Sequence, residues 1–331
     1  MNRHAGGRLS APSWRTPLGA PTAQTDERHA MTLTRESWRC RRFLAAVALL
    51  FLLLFGSDPL AAAPPELRTF PAGPIYDYRW KLLELALAQT AAGQVPPRLQ
   101  PYADEITQNR AVTLLQAGAI DVIALGTNPE REARLLPIRI DILRGIVGFR
   151  LLVIRSADQP RIAAMDAQAL RSQLEFGLNS QWADLPIMRA NGYSVTTSSS
   201  YENLFVMLSA GRFDAFPRGL NEARRELAER HAQFPDLVIE SSKALFFAFP
   251  IYFWVNPTQP ELARRIERGL RLALADGSFR KLFEAHHAAD IAALQKEKRQ
   301  VITLDNPNLP AGSPAPDTSW WWPAAARTHR P

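Results

Sequence analysis

The chain has 331 residues, 47% hydrophobic and 21% charged, which suits two folded α/β domains and excludes a disordered or fibrous protein. Its net charge of +7 points first to nucleic acid or an acidic surface, but residues 1–62 carry eight arginines against four acidic residues. The 31 basic and 28 acidic residues that remain nearly balance, without a Lys/Arg run or basic residues interleaved with aromatics, so no nucleic-acid partner is expected.

The first element is the apolar run "FLAAVALLFLLLF", residues 43–55. Thirteen residues are too few to span a bilayer comfortably. With Arg39, Arg41 and Arg42 before it and "DPLAAAPP" after it, the run has the three parts of a secretory signal peptide. Pro64 blocks a cut after Ala63, which places cleavage after Ala61 or Ala62, and Met31 is the expected start. An uncleaved N-terminal anchor is the alternative. The sole cysteine, Cys40, lies inside this signal, so the mature chain is expected to carry no thiol, disulfide or cysteine metal site. Export without disulfides fits a bacterial periplasm.

Beyond the signal, "LRTF" (67–70) reads as a strand and "RWKLLELALAQTAA" as a helix with Trp80, Leu83 and Leu87 on one face. A second helix near 107–117 stops at Gly118, and the strand "DVIAL" follows. "GIVGFRLLVIR" (145–155) reads as buried strand. The alternation then restarts: a helix near 166–173, "LEFGLN", a helix beginning near "SQWADLPIMRANG", "YSVTT", and a helix capped by Ser199 or Ser200 and ended by Gly211. "FDAF", a polar helix (221–232), "LVIE", "LFFAFPIYFWV" and a long amphipathic helix broken at Asp276-Gly277 complete the series. Helices alternating with short apolar strands predict α/β architecture with largely parallel sheets. His286-His287 lack spaced partners and are expected to cap a solvated helix end. The tail "SWWWP" is too apolar for a free end, so Trp320–Trp322 are expected to pack on a lobe.

Residues 115–131 align on 208–224 with identity at seven of seventeen positions, among them Gly118/Gly211, Asp121/Asp214, Gly126/Gly219 and Arg131/Arg224. Each copy reads as helix, glycine, tight turn and strand. The reading is two similar α/β lobes facing one another across a cleft, with two generic helix–strand joints as the plainer alternative.

The stretches "LLQAGAIDVIALGTNPEREARLLPI", "LEFGLNSQWADL", "SSSYENLFVMLSAGRFDA" and "ELARRIERGLRLALADGSFRKLFEAHH" resemble, in order and spacing, the type 2 periplasmic solute-binding proteins that include the polar amino-acid receptors of ABC importers. The resemblance covers about residues 67–290. It implies a two-lobed fold joined by two crossover strands, here near 151–156 and 246–251. On this reading residues 1–62 are upstream segment and signal, 63–155 and 247–290 form lobe 1, 156–246 form lobe 2, and 291–331 are a Pro/Trp-containing extension.

The resemblance also implies a site. Arg131 matches the arginine that binds the ligand's carboxylate, a role that a planar guanidinium fills with two parallel hydrogen bonds. A surface arginine paired with Glu130 or Glu132 is the plainer alternative. Thr127 and Asn128 stand beside it, and Gly126 replaces a frequent serine. "NSQWAD" occupies the place of the second lobe's carboxylate-binding turn, with Ser180 and Gln181 as contacts. Trp182 is a stacking or core residue, and Tyr76 and Tyr78 sit where the family places an aromatic lid. Where the family commonly has an ammonium-binding aspartate, this chain has Arg218, while Asp214 belongs to the turn. Arg131 and Arg218, converging without that aspartate, would make a positive pocket for an anion.

No phosphate loop, nucleophile elbow or zinc-helix spacing is present in the sequence, so no cofactor, no metal and no catalysis are expected. The reading is a monomeric periplasmic binding protein for a small polar or anionic, carboxylate-bearing solute, serving an ABC importer or a membrane sensor. Two alternatives stay open. One is a transporter-independent receptor-like signalling or interaction module with a drifted pocket. The other is a fold-sharing cleft enzyme such as a dehydratase, for which Glu202 is the only candidate acid or base near a site helix.

Overall fold

The computed structural model describes residues 65–102, 106–310, 313 and 315–322. The expected signal peptide, with Met31, Cys40 and the cleavage site, lies outside the described residues. No described helix is long and apolar enough to cross a membrane.

Strand β1 (Glu66–Phe70) leads into helix α1 (Asp77–Gln89), which buries the stripe Trp80, Leu82, Leu83, Ala86 and Leu87 expected from helical spacing. Strand β2 (Arg98–Pro101), helix α2 (Gln108–Gln116), β3 (Val122–Gly126), the short α3 (Pro129–Arg134) and β4 (Leu136–Ile138) follow. The chain then builds β5 (Phe149–Arg155), α4 (Gln159–Ala163), α5 (Ala167–Gln173), β6 (Glu175–Asn179), α6 (Leu185–Ala190) and β7 (Ser194–Ser198). Next come α7 (Tyr201–Ser209), β8 (Phe216–Gly219), α8 (Leu220–Arg230), β9 (Leu237–Ile239) and β10 (Lys243–Phe246). It returns with β11 (Ile251–Val255), α9 (Pro260–Ala275), α10 (Ser278–Lys296) and β12 (Gln300–Thr303).

These strands form two main sheets, and with their helices the two lobes of an α/β fold. The first sheet has the order β2-β1-β3-β11-β4, with β1, β2 and β3 parallel and β11 antiparallel to both neighbours. Its strands alternate between two apolar layers. Val122, Ala124 and Phe253 face the main core with α1 and α9, whereas Ile123, Leu125, Tyr252 and Trp254 pack with Val112 and Leu115 of α2. The second sheet has the order β12-β10-β5-β8, with β9 also on β5; β6 and β7 pair beside it, linked through Phe176 and Ala215.

Strand β5, assigned to lobe 1 by the sequence, hydrogen-bonds only to β8, β9 and β10 among the named strands and belongs to the second sheet. The chain leaves the first lobe ahead of Phe149, upstream of the crossover expected at 151–156. Residues 149–154 are buried on both faces, so no polar alternation marks which sheet they join.

The repeated segments take the same path. Gly118 (φ 73°) and Gly211 (φ 70°) both turn left-handed at a helix end, where a Cβ would be strained. The two aspartates then do matching work: Asp121 accepts from the Arg68 N–H at 2.8 Å and Asp214 from the Glu175 N–H at 2.9 Å, tying each turn to the neighbouring strand.

His286-His287 lie well inside α10, which runs on to Lys296 because Ile291 and Leu294 continue its packed face. His287 is buried against Tyr78 and Phe283, at ring separations of 4.8 and 4.7 Å. Burial, followed by His286 and Arg79, lowers its pKa to about 3, so the ring is neutral. The expected solvated cap is thus a core histidine.

Past α10 the chain straps the two lobes. Strand β12 pairs with β10, and Asn306 Nδ2 donates to the Ala248 carbonyl beside the return connection. Trp320 sits over the Arg144 guanidinium at 4.4 Å and meets Phe279 and Phe283 of α10 edge-on. Trp321 Nε1 donates to the Arg144 carbonyl at 2.8 Å, while Trp322 packs on Phe149 and Phe246 of the second sheet. Trp321 is only 2% exposed. Trp321→Ala should lower the unfolding free energy by about 3–5 kcal/mol in urea titrations. A loss below about 1 kcal/mol would mean that the tail is not packed.

The lobe connections share one half-buried carboxylate. Asp141 accepts from Leu143 N at 3.1 Å, Gly145 N at 2.7 Å and Ile251 N at 3.1 Å, binding the outgoing chain to the start of β11. Burial raises its pKa from 3.8 to about 6, against the three backbone donors, which pull it down. The native state therefore holds this proton more tightly than the unfolded chain. Stability from this group is fully present below 3.8 and is lost as pH rises through about 6. Unfolding titrations across this window should show that slope, and Asp141→Asn should flatten it; an unchanged slope in the variant would assign it elsewhere.

Candidate functional site

A cavity of about 790 Å³ opens between the lobes. From the first lobe it is lined by Tyr76, Arg79, Gln108, Gly126 and Arg131; from the second by Gln181, Trp182, Asp184, Tyr201, Arg218 and Glu222.

Arg131 is placed by the start of α3. Asn128 caps this helix, its Oδ1 accepting from the Arg131 N–H at 2.8 Å, and Pro129 fixes the first turn. The guanidinium folds back so that Nη1 donates to the Gly126 carbonyl at 2.6 Å and Nη2 to Gln108 Oε1 at 2.7 Å. Arg131 is 3% exposed, and no carboxylate among the described residues lies within 4 Å of it. Burial lowers its pKa to about 10, opposed by the more distant charges of Glu130 and Asp184, so it stays charged at neutral pH. The plainer alternative, a surface arginine paired with Glu130 or Glu132, does not describe it: Glu130 pairs with Arg134 and Glu132 with Arg139.

Of the other residues expected at the site, Gln181, Trp182 and Arg218 line the cavity, whereas Thr127, Asn128, Ser180 and Tyr78 are not part of its lining. Thr127 is buried and its hydroxyl donates to Glu132 Oε1, Asn128 is spent on the helix cap, and Ser180 is exposed. Tyr78 points into the core and donates to the Ile142 carbonyl at 3.0 Å. Its neighbour Tyr76 faces the cavity instead, with the Arg79 guanidinium 4.6 Å from its ring. At Gly126, which replaces the serine frequent in the family, a Cβ would come within 2.7 Å of the Phe249 ring, so any side chain there requires that ring to shift.

Arg218 departs from expectation. It lines the cavity, but its charge is compensated by Glu226, which takes two hydrogen bonds at 2.6 and 2.7 Å, and by Glu222 at 3.0 Å. Burial alone would lower its pKa, yet the two glutamates outweigh this and raise it well above the usual value. Glu222, buried too, is held below the usual carboxylate range by Arg218, Arg150 and Arg79. The pair of unpaired arginines foreseen from sequence is therefore reduced to Arg131.

Three more buried ions were not anticipated. Arg150 of β5 lies 3.3 Å from Asp184 and 3.7 Å from Glu222. Arg79 donates to the Ala124 carbonyl at 2.8 Å. Asp184 keeps Oδ1 without a hydrogen-bond partner, and burial raises its pKa against the pull of Arg150 and Arg218. Charged residues on apolar segments, such as Arg150 in "FRLLVIR" and Arg79 in "DYRWKLLELAL", were the available signal. Four buried arginines (Arg79, Arg131, Arg150 and Arg218) thus face three buried carboxylates (Asp184, Glu222 and Glu226) among the described lining residues. Glu202, the candidate acid or base, is spent at the rim on Arg230, 2.5 Å away. No group of three or more His, Cys, Asp or Glu side chains among the described residues is placed to hold a metal ion.

No protein-family profile and no curated protein matches the chain. Solved structures do. An ancestral arginine-binding protein bound to arginine aligns with a TM-score of 0.51 at 15% identity, covering 67% of this chain and 97% of that one. A variant of ArgBP from T. maritima aligns at 0.50 and 17% identity, covering 68% and 95%. The periplasmic VFT2 domain of BvgS from Bordetella pertussis aligns at 0.50 and 19% identity, covering 67% and 92%. At such identities the likeness speaks for architecture alone, and it agrees with the two lobes and the cleft between them. The chain has a divergent type II periplasmic-binding-protein fold.

Proposed function

We propose that this chain is a periplasmic solute-binding protein that closes its cleft on a small carboxylate-bearing solute and presents it to an ABC importer or a membrane sensor. It works as a monomer without cofactor, reaching the periplasm through the signal peptide at residues 43–55. The observation that carries this reading is Arg131: buried, charged, and without an ion-pair partner among the described residues, on the wall of a cavity large enough for a small metabolite. A buried charge lacking a counter-ion is costly, and a ligand carboxylate accepting two parallel hydrogen bonds would supply one. Gln181 Oε1 and Asp184 Oδ1, both buried without partners, offer acceptors on the opposite lobe for a hydroxyl or amide N–H of the same solute. A solute held from both sides favours the closed arrangement, because only there does it find all its partners.

A thermal-shift screen of carboxylates, neutral polar solutes and amino acids tests this directly. A carboxylate at 100 times its dissociation constant should stabilise the protein by about 2.7 kcal/mol. Arg131→Met should weaken that ligand by about 2–5 kcal/mol. Preference for a cationic or neutral solute, with Arg131→Met leaving its affinity unchanged, would contradict the assignment.

A further inference from the structure

We infer that Arg218 is a resident cation filling a cation-binding box in the cleft wall, and that its presence excludes solutes with a cationic end. The exclusion rests on the binding role proposed above; the box itself does not. The Arg218 Cζ lies 4.5 Å from the Trp182 ring centroid, 5.1 Å from Phe216 and 5.5 Å from Tyr201, so aromatic rings surround the guanidinium. Trp182 and Phe216 are stacked within 11° of parallel, with ring centroids 6.0 Å apart. Glu226 takes both hydrogen bonds of one edge of the fork and Glu222 a third contact at 3.0 Å. Two carboxylates and several ring faces converging on one planar cation form a complete recognition site for a guanidinium, and the protein's own side chain occupies it.

The strand does not need an arginine there. Position 218 on β8 corresponds in the repeat to Leu125 on β3, an apolar residue in the same helix–turn–strand path. The arginine and its two glutamates are additions to that shared scaffold. With the box filled, a solute's ammonium or guanidinium finds Glu222 and Glu226 already hydrogen-bonded or ion-paired to Arg218, and Asp184 beside Arg150. The positive charges without an ion-pair partner among the described lining residues, those of Arg131 and Arg79 on the first lobe, then select for net anions. Taking away the Arg218 side chain should convert the wall into an open site for a free guanidinium.

The test uses the full chain and methylguanidinium, which has no carboxylate and so reports on the box independently of Arg131. Arg218→Ala should melt below wild type, and millimolar methylguanidinium should raise its melting temperature saturably by roughly 2–4 °C, with methylammonium and sodium chloride less effective. Wild type should not respond. Arginine should bind Arg218→Ala but not wild type, and the double variant Arg131→Met/Arg218→Ala should keep its methylguanidinium response while losing the gain that the carboxylate gives. If Arg218→Ala does not fold alone, refolding yield with and without methylguanidinium is the readout, with Arg218→Lys as the folded control. No rescue of Arg218→Ala by methylguanidinium, in melting or in refolding, overturns the box. An equal response of wild type overturns it too. Rescue by methylguanidinium with arginine still unbound would keep the box and place the fault in the carboxylate role of Arg131.

Discussion

The buried charge of the cleft is the constraint around which the molecule is arranged. Four buried guanidiniums face three buried carboxylates along the cavity, and each ion costs several kcal/mol unless it is paired or hydrogen-bonded. Arg218 and Arg150 meet this cost with carboxylates across the second lobe. Arg131 and Arg79, on the first lobe, meet it only in part, through backbone carbonyls and one glutamine. The asymmetry gives the cleft a direction: two arginines among three carboxylates on one wall, two arginines without an ion-pair partner on the other.

The framework that holds these charges is itself over-determined. Asp141 gathers the outgoing and returning connections onto one carboxylate, and the chain beyond α10 crosses back over both lobes through β12 and the three tryptophans. Trp320 touches α10 while Trp322 touches β5 and β10. The strap is therefore a third link between lobes that would otherwise be joined by two connections.

Much of the architecture was legible in the sequence because it follows from period and punctuation. Leu83 and Leu87 mark α1, Gly118 and Gly211 end their helices, and the repeat of Asp121 and Asp214 reflects two turns tied to neighbouring strands by the same hydrogen bond. Which sheet the strand β5 joins was not legible, because a run buried on both faces carries no alternation. His287 was misjudged because nothing local distinguishes a helix end from a helix that continues with weaker apolar spacing. At the site, Arg131 could be found from its position after "NPE", but the partners of Arg218 could not. Glu222 and Glu226 lie on an ordinary polar helix in sequence, and only the packing of α8 against β8 turns them inward. Tyr78 and Tyr76 are two residues apart, and the start of α1 alone decides which one reaches the cavity.

If the positive wall is what the protein uses, charge and not shape should decide what it holds. The direct measurement is calorimetric titration of wild-type protein with the best-binding carboxylate and with its carboxamide, which keeps size and outline but removes the charge. The account predicts that the acid binds and the amide is weaker by about 100-fold, as expected for the loss of a buried charge-assisted pair. Equal affinity for acid and amide would contradict it, because Arg131 would then not be meeting a charge.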